Sequence, residues 1–118
     1  QLYFALGSLY EVGLKDEAKA EEAYKKALDL DPENPSNIFS VGRLYFNQGV
    51  SLLDKANSLN DQNQYKAEKA MLRKALPFFE KAHKLKPEER EYMIGLRGIY
   101  YNLSMNKEFD AINAEMSK

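Results

Sequence analysis

One spacing pattern, repeated along the chain, constrains the fold more than any other feature. Tyr3-x2-Leu6-Gly7-x2-Tyr10 returns as Ile38-x2-Val41-Gly42-x2-Tyr45. It returns once more as Met93-x2-Leu96-Arg97-x2-Tyr100, with arginine in place of glycine. A second pattern, Ala20-x3-Tyr24-x2-Ala27-x4-Pro32, recurs with identical spacing as Ala75-x3-Phe79-x2-Ala82-x4-Pro87. Steps of three and four residues put such positions on one face of a helix. Small residues let two helices cross closely, aromatics fill the space beside the crossing, and proline ends the second helix. The pattern predicts an all-α chain of antiparallel helical hairpins. No segment shows the sustained alternation of a strand.

Glycine, proline and polar clusters set the expected helix limits at about 1–12, 17–30, 37–59, 64–86, 90–103 and 107–117. Gly13 is expected to stop the first helix, Asp16 to cap the second and Ser36 to cap the third. Pro77 lies inside the fourth helix and predicts a kink. The polar run from Asn60 to Asn63 predicts a turn.

These motifs resemble the tetratricopeptide repeat (TPR) family, whose unit is about 34 residues long. The resemblance covers nearly the whole chain, read as a fragment of a bacterial-type member. It implies a right-handed array of about three helical hairpins in a single domain. The first repeat is expected at about 1–34, an elongated second at about 35–89, and a degenerate or capping third at about 90–118. Spacing supports the elongation. Gly7 and Gly42 are 35 residues apart, about one unit, but Pro32 and Pro87 are 55 apart, 21 more than a 34-residue period. The excess lies between Gly49 and Ala75, adding roughly three turns to each helix. Leu52, Leu53, Ala56, Leu59, Ala67, Ala70 and Met71 are expected to close a small core there. That hairpin either simply projects or offers a contact surface of its own.

The resemblance further implies a curved inner wall, lined by the first helix of each hairpin, that takes an extended peptide or a partner helix. Carried onto this sequence, the lining is Phe4, Ser8 and Glu11, then Phe39, Arg43, Phe46 and Asn47, then Ile94, Gly98, Tyr101 and Asn102. Aromatics there supply buried area, while Arg43 and the asparagines can hold a backbone or a carboxylate. Phe39, Phe46 and Ile94 have a plainer alternative, packing between neighbouring units. Only Arg43 and Asn47 match the cationic and amide residues of carboxylate-gripping members, so that clamp is not assigned.

Composition narrows the function classes. The 118 residues hold 17 Lys and Arg against 18 Asp and Glu, for a net charge of -1, so no excess positive charge points to nucleic acid. The absence of cysteine excludes disulfides, thiolate metal ligands and a thiol nucleophile. His83, between Lys81 and Lys84, has no second histidine with which to hold zinc, and reads as an ordinary helical residue. Asp61-x-Asn63-x-Tyr65 lacks the glycine of a calcium loop. No glycine-rich phosphate loop or nucleophile elbow occurs. Apolar runs are too short to cross a membrane. The sequence opens with Gln1 in mid-pattern, so it is read as lacking an upstream part, and its compartment is not legible. The reading is a non-catalytic protein-binding scaffold without cofactor or metal. Its alternatives are a self-association module, favoured by an apolar end at Leu2, Tyr3 and Leu9, or the regulatory tail of an enzyme.

Overall fold

Each helix boundary has a local cause. In the computed structural model, which describes residues 2–59 and 62–118, α1 spans Leu2–Ser8 and widens into one π-helical turn over Leu9–Gly13. The Leu14 amide donates to the Leu9 carbonyl, five residues back, at 3.0 Å. The helix ends at Gly13 as expected, but the left-handed residue of the exit is Lys15, with φ 53°. Asp16 caps α2 (Glu17–Leu30), its Oδ1 accepting from the Lys19 amide at 3.1 Å.

The cap of α3 (Pro35–Leu59) corrects the sequence reading. Asn34, not Ser36, does the work: its Oδ1 accepts from the Ser36 and Asn37 amides at 3.0 and 3.3 Å. Pro35 is the first helical residue, where a missing amide proton costs nothing. Asn37 is buried and donates from Nδ2 to the Ala27 carbonyl at 3.1 Å, tying α3 to the last turn of α2.

The long hairpin is formed by α3 and α4 (Gln62–Leu85). Gln62 and Asn63, expected in a turn, are helical, while Asn60 and Asp61 lie outside the described residues. Helix α4 runs unbroken through Pro77, which faces solvent. In its first half the buried residues are Glu68 and Leu72, and Ala70 is exposed, so the seam sits one step from the expected stripe. The side chains of Leu53, Ala56 and Leu59 lie outside the described residues. Leu85, expected inward, is 40% exposed. Helices α5 (Arg90–Asn102) and α6 (Asn106–Met116) close the chain, joined through Ser104 at φ 58°. No strand occurs among the described residues.

The repeat residues form the core, apart from Tyr3, Leu6 and Tyr10, which are only half-buried. Ala20, Tyr24, Ala27, Ile38, Val41, Tyr45, Ala75, Phe79, Ala82, Met93, Leu96 and Tyr100 are all buried. The glycines act by size. A Cβ on Gly7 would sit 2.6 Å from the Tyr24 ring, and one on Gly42 would sit 2.9 Å from the Phe78 Cβ. The third unit lacks such a glycine, and Phe79 reaches Gly95 of α5 instead, 3.2 Å from where a Cβ would stand.

Candidate functional site

Packing every second helix on its predecessor leaves α1, α3 and α5 to share one face. Two hollows lie along it. One, of about 240 Å³, is lined by residues of α1, α3 and α5 and of the turn before α5, among them Phe4, Ser36, Phe39, Ser40, Arg43, Glu91 and Tyr92. The other, of about 520 Å³, is lined by Phe46, Ile94, Arg97, Gly98, Tyr101, Phe109 and Asn113.

The first hollow is bounded by a polar cluster. Glu11 accepts a hydrogen bond from the Tyr24 hydroxyl at 2.8 Å and forms an ion pair with the Arg43 Nη2. Burial, then the bond to Glu11, raises the Tyr24 pKa, and Ser8 is a further hydrogen-bond neighbour of that hydroxyl. The Arg43 Nε is buried and unpartnered. The sequence marked Glu11 and Arg43 separately and did not indicate that they pair. The charge of Arg43 is thus already matched within the chain, and the pair bridges α1 to α3.

The aromatics divide between packing and lining. Phe39 lies between Phe79 and Tyr92, with ring centroids 5.1 and 4.7 Å away. Phe46 meets Phe79 edge-on at 6.0 Å and lies beside Gly98. Phe4 packs on Tyr24 at 5.6 Å. All three are half-buried, so each serves the core with one part and the face with another. Ile94 and Tyr101 are 48% and 70% exposed, and the Tyr101 ring leans on Phe109 of α6 at 5.8 Å. Asn47 is exposed. Asn102 turns its amide back onto its own helix, donating to the Gly98 carbonyl at 2.8 Å.

The sequence reading missed Ser36, Ser40, Tyr92, Arg97, Phe109 and Asn113. Phe109 and Asn113 come from α6, which carries no repeat motif to place it, and the serines leave no periodic signal. His83 bridges α4 to α6, its Nε2 3.0 Å from Glu115 Oε1. No group of metal-binding side chains occurs among the described residues. No described helix is long and apolar enough to cross a membrane.

Residues 1–34 match the tetratricopeptide repeat family model. Among solved structures, a monomeric mutant of IFIT1, determined with Gppp-AAAA, superposes with a TM-score of 0.80 at 20% identity. The match covers 93% of this chain and 24% of that one, so the chain spans about a quarter of the protein it resembles. No curated protein matches the sequence.

Proposed function

We propose, from the match of the first hairpin to a tetratricopeptide repeat model and from the shared fold, a non-catalytic scaffold that binds a peptide or partner helix along the α1, α3 and α5 face. The observation that carries this reading is the second hollow. Phe46, Ile94, Gly98 and Tyr101, chosen from sequence for this role, line it together with Phe109. Exposed apolar side chains around a pocket floored by a fixed aromatic suit an apolar anchor residue of a partner. A preformed wall needs little ordering on its own side. The first hollow would take the partner's polar backbone, through the exposed Ser36.

A peptide suits this wall better than a polyphosphate such as the Gppp-AAAA of the structural neighbour. Glu11 already neutralises Arg43, Glu89 pairs with Lys86 at 3.6 Å, and Glu91 adds a further negative charge to the same hollow. Panning a random peptide library on the intact chain tests the reading. Enriched peptides should carry an apolar anchor and lose binding to Tyr101→Ala and Ile94→Ser. Peptides that bind both variants undiminished would place the site elsewhere.

A second reading, self-association, is favoured by the edge of α1. Leu2, Leu9, Val12 and Leu14 are 77%, 55%, 72% and 63% exposed.

A further inference from the structure

The near-zero net charge of the chain hides a segregation. Helix α4 holds six Lys and Arg against two Glu, while the rest of the chain holds eleven against sixteen. The cations are not scattered around the helix. Lys66, Lys69, Arg73, Lys74, Lys81 and Lys84 are all exposed and, at 100° per residue, share the face opposite the buried stripe of Glu68, Leu72, Ala75, Phe79 and Ala82. Lys66 to Lys84 spans about 27 Å at 1.5 Å per residue.

Little within the chain neutralises this stripe. Lys81 reaches Glu33 at 3.6 Å, and Lys74 stands over the Tyr45 ring at 4.5 Å. No ion pair engages Lys66, Lys69, Arg73 or Lys84 among the described residues. Of the two acids of α4, Glu68 is buried in the seam, and Glu80, exposed near Lys81 and Lys84, is engaged by the Tyr100 hydroxyl at 3.1 Å. Four cations that make no ion pair, set on one helix face, repel one another, and an anionic partner relieves that repulsion.

We infer that the outer face of α4 is a docking ridge for an acidic polypeptide segment, separate from the α1, α3 and α5 face. Width decides the class of anion. Acids flank the second half of the ridge on both sides: Glu33 beside Lys81, and Glu115 beside His83. A nucleic-acid duplex is too broad to lie on α4 without meeting them. A single strand gains most from aromatic stacking platforms, and no aromatic of α4 is exposed among its described residues. An aspartate- and glutamate-rich segment is narrow and needs neither. Ala70 and Pro77 between the cations keep the crest low enough for its backbone to lie close.

The test is fluorescence anisotropy of a labelled oligoglutamate peptide with the intact chain at low and at physiological salt. The peptide should bind, more weakly as salt rises. The double reversal Lys69→Glu/Arg73→Glu should weaken binding about tenfold or more, with the helical circular-dichroism spectrum retained, since both side chains face solvent. Neutralisation with Lys69→Gln/Arg73→Gln should give an intermediate loss. Reversal of Lys15 and Lys19, which belong to the first hairpin and not to α4, should leave binding intact. Absence of binding, equal binding by the double reversal, or tighter binding of a single-stranded oligonucleotide or a phosphatidylserine vesicle would overturn the inference. A separate face is involved, so failure here leaves the Tyr101 and Ile94 result untouched.

Discussion

Tyr24 and Arg43 meet at one carboxylate: Glu11 takes a hydrogen bond from the tyrosine hydroxyl and an ion pair from the guanidinium. Three helices are joined there, because Glu11 belongs to the π-helical turn, Tyr24 to α2 and Arg43 to α3. Removing one member strands the others in a partly buried setting. Glu11→Ala should therefore cost about 1–3 kcal/mol in urea unfolding. Arg43→Met should cost clearly less in the Glu11→Leu background than in the unaltered chain. Strict additivity in that cycle would mean that the pair is not coupled.

The glycines make opposite predictions according to the space beside them. Helix propensity alone would have Ala stabilise every helical glycine by up to about 1 kcal/mol. At Gly42 the new Cβ meets the Phe78 Cβ at 2.9 Å, which is no flexible chain end. Gly42→Ala should thus destabilise by about 1–3 kcal/mol. At Gly98 the nearest atoms are those of Phe46 at 3.5 Å, ordinary contact, and Gly98→Ala should be neutral or stabilising. Thermal melts should show a lowered midpoint for Gly42→Ala and an unchanged or raised one for Gly98→Ala.

Glu68 makes stability depend on acid in an unusual sense. Burial raises its pKa, outweighing Lys69 and Arg73, which act to lower it. A carboxyl whose folded pKa is raised contributes stability below its unfolded value of 4.5, and that contribution is lost as pH rises through the folded value. At neutral pH the residue is therefore a burden on the long hairpin. Glu68→Met should stabilise the chain at pH 7, and its advantage should shrink as the pH is lowered. Chemical denaturation of both proteins across that range reads the difference directly.

Tyr100 behaves correspondingly at the alkaline end. Burial first, then the Glu80 carboxylate, hold its pKa well above 10.0. The folded state keeps the proton while the unfolded chain releases it, so stability is lost as pH rises past 10. Tyr100→Phe should remove part of that loss, at the cost of the hydrogen bond to Glu80 at neutral pH.

If the α1 edge mediates self-association, sedimentation should show concentration-dependent oligomers that Leu9→Glu abolishes. Leu9 is 55% exposed, so the substitution should leave the fold intact. A monomer at all concentrations would remove that reading.

The hairpin architecture was legible because its signal is steric. Where two helices cross closely, only Ala and Gly fit, and Gly7 beside Tyr24 and Gly42 beside Phe78 leave that requirement in the spacing. The elongation was legible for a related reason, since inserted turns displace Pro87 from its period. Single hydrogen bonds were not legible. Asn34 and Ser36 are equally good caps on paper, and Pro35 decides between them by occupying the first helical position. Nor was the pairing of Glu11 with Arg43, 32 residues apart. Such a contact depends on the angle between α1 and α3, which no local pattern encodes. The charged ridge was hidden for another reason: a net charge averages over surfaces that point different ways.

The bond from Asn37 to the Ala27 carbonyl has a mechanical consequence. It spans the joint between the first hairpin and the long one, and a buried amide is not readily exchanged for water there. With that joint latched, the first hairpin cannot swing like a door on the 31–34 connection. Any widening of the inner wall must come instead from gentle torsion spread over whole helices, as a spring gives along its length.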